Sequence, residues 1–293
     1  MLPDLDVNLL SNVIVAGVLT GLVYGLMALG LSVIFGVMRV VNFAHGELTT
    51  LAMYATVMAC EALTLDPFVV LLPLTVTFFA LGYVLQRKVI NPFITRPEHT
   101  QLMLMVSVAI ILANGQLMSF GPDARGVQTG YQLDSMELGP LLVDTARVYA
   151  AGTALAATLV LFWFFRRTLT GKAIRACADN QHGARVVGLA VEHLYATTFG
   201  VGIACVAIAG CMLAVLFEVT PGAGPAYTLL GFVIVIVGGL GSMVGALLGG
   251  VLIGVSEGVA GLIVAPSAKS MISFGLLIAV LSIRPAGLFG QRT

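Results

Sequence analysis

Three polar residues with hydrogen-bonding or acid–base capacity lie close together between two apolar runs: Asn42, His45 and Glu47, within the stretch RVVNFAHGE. In a chain this apolar, such side chains must be satisfied by protein or face water. One His and one Glu two residues apart are too few ligands for a metal site. Two interpretations are open: a discontinuous helix that lines a pathway, with Gly46 permitting the break, or an ordinary cytoplasmic turn in which Asn42 or His45 caps the next helix.

A second candidate is the GGLGS sequence at residues 238–242, which interrupts the apolar run from Leu229 to Val264. One straight membrane span needs about 20 residues, so this longer run is predicted to form two segments with a break between them. Such a break exposes backbone amides and carbonyls, which are tolerated where they line a cavity or are buried by protein. The residues predicted to join the first cluster on the pathway are Gly238, Gly239, Gly241 and Ser242.

Glycines repeat every four residues on two of the apolar runs, which predicts closely packed helices. The row Gly17, Gly21 and Gly25 lies on one face of the first run. The run that follows the break carries two further rows, and two rows on one helix are typical of contact with two neighbours. These rows are Gly241, Gly245, Gly249 and Gly250, Gly254, Gly258.

The polar segment 166–195 carries five of the fourteen basic residues and lies between two long apolar runs. Within it, Asn180 is a plausible helix N-cap, 184–187 a helical turn and Gly188 a left-handed stop. A short helix presented by an apolar bundle suggests docking to another protein. A solvated basic loop that only fixes the topology is the alternative.

The composition indicates a polytopic membrane protein built as a single domain over residues 1–293. The chain is 59% hydrophobic and 10% charged, whereas soluble domains carry about 25% charged residues. The formal net charge is +0, so nucleic-acid binding has no electrostatic support. The fold is predicted to be all-α, a transmembrane helical bundle of eight to nine segments, one of them broken or re-entrant.

Placing segment 166–195 in the cytoplasm fixes the orientation. Eleven basic residues then fall inside and only three outside: Arg125, Arg147 and Lys269. The polar segment 121–147 becomes an extracytoplasmic loop. Glu257 is the one acid deep inside an apolar run, and it is interpreted either as a functional group or as a structural partner of Lys269. The sequence contains no phosphate-binding loop or catalytic motif, so a nucleotide that powers transport would be hydrolysed by another chain.

Four stretches in the same order resemble the LivH-type permeases of branched-chain amino acid ABC transporters, and together they cover about residues 8–290. The N-terminal stretch is GLVYGLMALGLSVIFGVMRVVNFAHGE, and the cytoplasmic stretch is GKAIRACADNQHGARVVGL. The two C-terminal stretches are GGLGSMVGALLGG and RPAGLFG. Two places depart from the pattern: 51–54 lacks a glycine common in the family, and the loop 121–147 matches poorly.

The resemblance implies a permease subunit in the bacterial inner membrane, without a cofactor or metal of its own. Its implied partners are a second, related permease, two ATP-binding subunits and a periplasmic binding protein that faces the loop 121–147. The segment 180–188 would be a coupling helix on the ATPase, with Asn180 at its start and Ala184, Arg185 and Gly188 at the contact. The substrate would be a branched-chain or other hydrophobic amino acid. Two alternatives are a permease of the same family for urea, short amides or other amino acids, and a stand-alone secondary transporter that uses Glu257. A third hypothesis, a membrane-embedded enzyme, is disfavoured because the sequence contains no catalytic cluster.

Overall fold

The computed structural model describes residues 7–132, 134–139, 141–263 and 269–290. Eleven α-helices and one β-hairpin lie within these ranges. The first helices are α1 (Val7–Met38), α2 (His45–Leu63), α3 (Pro67–Leu85), which continues as a π-turn (Gln86–Ile90) and a 3₁₀ turn (Asn91–Phe93), and α4 (Glu98–Phe120). The hairpin is β1 (Ser135–Leu138) and β2 (Leu141–Asp144). The later helices are α5 (Thr145–Arg167), α6 (Leu169–Asp179), α7 (Gln181–Val186), α8 (Val191–Leu216), α9 (Gly224–Gly238), α10 (Met243–Ile263) and α11 (Lys269–Ile283).

The helical membrane fold predicted from the composition is confirmed in its class. Seven stretches of the described chain are long and apolar enough to cross a membrane: α1, α3 with its two turns, α4, α5, α8, α9 with the preceding 3₁₀ turn, and α10. The finer count of eight to nine segments depends on α2, which carries polar residues, and on α11, which has only 15 residues. One element differs from the all-α expectation, because the loop 121–147 contains an antiparallel hairpin in which Ser135 pairs with Asp144.

The centre of the bundle is formed by α1 and α8, which are mostly buried, whereas α4 is mostly exposed. The contact of α1 with α10 runs along glycines. A Cβ on Gly17 would lie 2.8 Å from the carbonyl oxygen of Gly254, and one on Gly21 would lie 2.7 Å from that of Gly250. The predicted glycine face of α1 is therefore confirmed, and its partner is the second glycine row of α10.

The other glycine row of α10 faces α9. This confirms the prediction that the two rows of this helix contact two different neighbours. Gly245 contacts Gly238, and a Cβ on Gly249 would lie 2.7 Å from the carbonyl oxygen of Ile234. Gly241 lies outside the helix, in the break, where it approaches Gly36. The break itself is confirmed at the predicted place, since α9 ends at residue 238 and α10 begins at residue 243.

The segment between α5 and α8 forms two helices, whereas one was predicted. Thr168 caps α6 by accepting a hydrogen bond from the Gly171 amide at 3.0 Å. The buried face of α6 carries Gly171, Ile174 and Cys177, and burial raises the pKa of the Cys177 thiol. The apolar residues of α6 recur at helical spacing on one face, a pattern that could have predicted this helix, but the sequence interpretation used only the cap signals and placed the helix at 180–188 alone.

Candidate functional site

The link between α1 and α2 turns back into the bundle. Arg39 adopts a left-handed conformation with φ 55° directly after α1 ends. The Asn42 side-chain oxygen then accepts a hydrogen bond from the Ala44 amide at 3.0 Å. This arrangement orders the turn immediately before α2, whose N-cap residue Ala44 makes no side-chain capping bond.

His45 fixes the depth at which α2 begins. Its Nε2 lies 3.0 Å from the carbonyl oxygen of Met27, and because a carbonyl only accepts, Nε2 carries the proton. Met27 lies eleven residues before the end of α1 at Met38, which corresponds to about 17 Å along a helix. The first turn of α2 is therefore deep among the other helices and not at the end of α1.

Glu47 lies where the N-terminus of α2 meets the N-terminus of α9. A Cβ on Gly224 would overlap the Glu47 carboxylate, so this carboxylate rests directly on the first residue of α9. Glu47 is only 3% exposed. The N-terminal end of a helix carries a partial positive charge, which favours a carboxylate at this position.

Close backbone contact holds the two helix ends together. Gly46 packs against the Gly224 carbonyl and Thr228, which leaves no room for a side chain. The Gly46 amide donates to Thr228 Oγ1 at 2.9 Å, and the same hydroxyl donates to the Phe43 carbonyl at 3.4 Å. From α4, Gln116 Nε2 donates to the Glu47 carbonyl at 3.1 Å.

We call Asn42, His45, Glu47, Gln116 and Thr228 the polar cluster. Four of its side-chain atoms are buried and have no hydrogen-bond partner among the described residues. They are Asn42 Nδ2, His45 Nδ1, Glu47 Oε2 and Gln116 Oε1. A buried polar atom without a partner costs stability, and such groups inside a membrane bundle are typical of a route for polar solutes.

Both interpretations of the first cluster need correction. Gly46 does not permit the helix break, because the break lies at residues 39–44 and Gly46 is a close-contact residue inside α2. Neither Asn42 nor His45 caps α2, and both are fully buried, so the segment is not a solvated turn. The sequence interpretation did not identify Gln116 and Thr228. Their signal was weak: Gln116 is a polar residue near the end of one apolar run, and Thr228 is a polar residue at the start of another.

The structure does not bring the GGLGS break together with the polar cluster. The cluster lies at the start of α9 and the break follows its end, and 15 helical residues span about 22 Å. The break is covered by the C-terminal segment, since the Phe289 amide donates to the Gly238 carbonyl at 3.0 Å. Ser242 starts α10 by accepting from the Gly245 amide at 3.0 Å. Gly239, with φ 106°, packs directly on Gly290.

The predicted docking segment contains the expected helix, α7. The Asn180 side chain accepts from the Gly183 amide at 2.8 Å, and Gly188 ends the helix with φ 83°. Arg185 and Gly188 are exposed, whereas Ala184 is buried and packs inward. An apolar pair that sequence reasoning overlooked, Val186 and Val187, is 74% and 76% exposed.

Glu257 lies on α10, where its Oε1 accepts a hydrogen bond from Ser273 at 3.1 Å. The predicted pairing with Lys269 lies outside the described residues, because the structure does not describe that side chain. In the part of the chain that the structure describes, no group of three or more His, Cys, Asp or Glu residues is placed to hold a metal ion.

Comparison with known proteins decides the family. Residues 13–281 match the family model described as branched-chain amino acid transport system / permease component.

The chain belongs to this permease family.

Curated relatives agree along nearly the whole length. The high-affinity branched-chain amino acid transport system permease protein BraD of Pseudomonas aeruginosa is 27% identical over 95% of each chain. The permease protein LivH of Salmonella typhimurium, from a system of the same description, is 29% identical over 94% of each chain. The probable branched-chain amino acid transport permease protein LivH of Methanocaldococcus jannaschii is 24% identical over 90% of this chain and 88% of its own. No solved structure matches. The family and the seven apolar helices make this permease a multi-pass inner-membrane protein.

Proposed function

We propose that this permease is the membrane subunit of an ATP-driven importer for branched-chain or other hydrophobic amino acids. The observation that carries the proposal is the polar cluster, where two helix N-termini meet deep in a chain that belongs to a transport permease family. Broken helices whose N-termini converge near the middle of a bundle are a recurrent design for substrate routes. In this proposal Asn42, His45 and Glu47 line the route, and the GGLGS break supports the packing of α9 against α10.

The remaining subunits follow from the same proposal. A second, related permease completes the membrane part, two ATP-binding subunits hydrolyse the nucleotide, and a periplasmic binding protein delivers the substrate. Nine segments cross the membrane, namely the seven long apolar stretches together with α2 and α11. The N-terminus and the hairpin then lie outside, and α6 and α7 lie in the cytoplasm, in agreement with the distribution of basic residues.

Coupling to ATP is assigned to α7. The exposed residues Val186, at the end of α7, and Val187, immediately after it, form a short apolar surface beside the positive charge of Arg185, which suits a shallow groove on a partner protein. Arg185→Ala should lower coupled uptake by about tenfold, as expected for the loss of an interface arginine, while membrane insertion stays intact. Arg175→Ala, which removes an exposed arginine from α6, is the matched control. Normal coupled uptake in the Arg185 variant would remove the docking role.

The function is tested by uptake of labelled leucine into proteoliposomes. The chain is reconstituted alone and, separately, with its second permease, ATP-binding subunits and binding protein. We expect ATP-dependent uptake only with the full set. Uptake by this chain alone, driven by an ion gradient, would contradict the proposal. ATP hydrolysis stimulated by the binding protein without leucine uptake would keep the class and point to urea, short amides or other amino acids.

A further inference from the structure

A cavity at the end of the bundle opposite α7 has the chemistry of an amino-acid site. Its volume is about 550 Å³, and its lining includes Glu61, Arg125, Val127, Gln128, Leu216 and Glu218. Ligand pockets usually measure about 300–1,000 Å³. The distance from α7 follows from α8, which begins beside α7 and ends at the cavity, so its 26 residues separate the two by about 39 Å.

The cavity holds charges of both signs that have no ion-pair partner. Arg125 comes from the loop after α4, Glu61 from the last turn of α2, and Glu218 from the segment after α8. The structure gives Arg125, Glu61 and Glu218 no ion pair within the ranges it describes, whereas Arg147 at the same end of the bundle pairs with Asp144. The carboxylates of Glu61 and Glu218 make no hydrogen bond to any described residue, and Glu218 packs 3.3 Å from the position of a Cβ on Gly126, next to Arg125.

The Arg125 side chain is anchored by the protein, and several of its N–H donors remain unused among the described residues. Its Nη2 donates to the Phe120 carbonyl at 3.1 Å, and its Nη1 lies 3.6 Å from the Met58 sulfur. Its backbone pairs with Val219 through two hydrogen bonds of 3.0 and 2.7 Å. A guanidinium has five N–H donors in a fork that fits a carboxylate, so an anchored Arg125 retains donors for a ligand.

The neighbouring acid Asp66 has a different role. It accepts from the Phe68 amide at 2.9 Å and so caps α3, and Tyr131 donates its hydroxyl to the same oxygen at 3.5 Å. Burial, together with the nearby Asp66 carboxylate, raises the pKa of Tyr131 above its usual range, which keeps the phenol protonated as a donor. Glu61 and Glu218 are the acids in the lining of this cavity, and they are the carboxylates that the cavity offers to a cation.

Helix α2 connects this cavity with the polar cluster. Glu47, Tyr54 and Glu61 follow one another at intervals of seven residues, which places them on one face of the helix. The distance from the first to the last is about 21 Å at 1.5 Å per residue. Between them, Tyr54 stacks on Phe120 with 4.5 Å between ring centroids, and its hydroxyl lies 3.5 Å from the Val219 carbonyl. The aromatic pair thus separates the cavity from the cluster.

We propose that this cavity receives the zwitterionic head group of an amino acid before it enters the route along α2. Arg125 binds the carboxylate, Glu61 and Glu218 bind the ammonium group, and Val127 and Leu216 contact the aliphatic side chain. The inference rests on the proposed function and adds to it a site on the permease itself. A small cavity lined by charges of both signs fits a zwitterion better than a flat protein surface does.

The test uses the full transporter in nanodiscs without its binding protein. A thiol introduced by Gln128→Cys, in a Cys60→Ala background, is labelled with a maleimide while L-leucine is titrated. We expect leucine to slow the labelling, whereas leucinamide, which lacks the carboxylate, and 4-methylvalerate, which lacks the ammonium group, do not. Arg125→Gln should raise the leucine concentration for half-protection by about tenfold or more, as expected for the loss of a hydrogen bond between charged groups.

Two variants keep the test decisive. Arg147→Gln removes another arginine at the same end of the bundle, one already paired with Asp144, and should leave protection unchanged. Glu61→Gln leaves Arg125 and its anchoring bonds intact and should also weaken protection by leucine, so a folding defect of the Arg125 variant does not decide the outcome.

Three results separate the possible failures. No protection by leucine in a complex that imports leucine with ATP overturns the site and leaves the proposed function intact. Absence of ATP-dependent leucine uptake by the same complex contradicts the proposed function itself. If Arg125→Gln weakens ATPase stimulation by the binding protein equally with and without leucine, the residue belongs to a protein-docking surface, and the zwitterion site is wrong.

Discussion

Two places in this permease use glycine to bring helices into backbone contact, and they differ in every other respect. Along α1 and α10 the contact repeats at Gly17 and Gly21 against Gly254 and Gly250, and we call it the glycine seam. At the polar cluster a single pair, Gly46 and Gly224, joins two helix ends. The seam spreads one contact over several turns, whereas the cluster confines it to one point beside buried groups without partners.

The difference indicates which contact is static. Repeated backbone contact over several turns suits a permanent junction in a membrane, where close packing drives helix association. A single contact beside unsatisfied polar atoms is less stable, because each of those atoms would gain a partner if water or a solute entered. We therefore expect the seam to remain closed during transport and the cluster to open.

The largest effect is expected from breaking the seam. A Cβ on Gly21 would lie 2.7 Å from both the Gly250 carbonyl oxygen and the Val251 Cα, so Gly21→Leu forces two helices apart. Overpacking typically costs about 1–3 kcal/mol and occasionally more, and backbone atoms cannot move aside as a side chain can. We expect little folded protein in detergent by size-exclusion chromatography. Gly115→Leu on α4, where a Cβ would meet nothing within 4 Å, is the control. A well-folded Gly21 variant would show that the seam is not required.

A smaller effect is expected at the cluster from Thr228→Val. The Gly46 amide then loses its acceptor at 2.9 Å, and a buried donor without a partner costs about 1–3 kcal/mol. We expect folded protein with a lower melting temperature and impaired uptake. Thr77→Val removes an exposed hydroxyl that donates to the Pro73 carbonyl of its own helix at 2.8 Å and should change neither. An unchanged melting temperature in the Thr228 variant would mean that the helix ends are held by other contacts.

The smallest effect is expected from Glu257→Gln, in the same helix as the seam. Glu257 accepts from Ser273 at 3.1 Å, and a glutamine oxygen can accept the same bond. ATP-dependent uptake by the full transporter should therefore stay within about twofold of the wild-type rate, because the substitution keeps the size of the side chain and its acceptor for Ser273. Loss of uptake with normal folding would instead favour a secondary transporter that relays protons through this acid.

Patterns local in sequence predicted the seam, the break and the short helix α7. Glycines every four residues define a helix face wherever the partner lies, and the GGLGS sequence interrupts a run too long for one span. Asn180 and Gly188 predicted the ends of α7 because caps depend on neighbouring residues. The partner of each face, such as α10 for Gly21, required the structure.

The cluster was only partly predictable. His45 and Glu47 stood out as polar residues in an apolar chain, but their contacts lie far along the sequence, with Met27 and with Gly224. Gly46 was assigned to the helix break because a glycine near a break often provides it, whereas here Arg39 adopts the left-handed conformation. The outer cavity was missed because its residues come from three separate loops and helix ends.

The central claim, that substrate passes the polar cluster, is tested most directly by Glu47→Gln in the complete transporter in proteoliposomes. ATP-dependent leucine uptake and melting temperature are measured in parallel, with Glu98→Gln, an exposed acid in the first turn of α4, as control. We predict that the Glu47 variant folds with a melting temperature close to that of the wild type, because glutamine keeps the size of this buried side chain and the lost attraction to the helix N-terminus offsets the gain from removing a buried charge. Its uptake should fall by about tenfold or more, as for loss of a charged hydrogen-bonding group. Wild-type uptake with the Glu47 variant would place the substrate route elsewhere in the bundle.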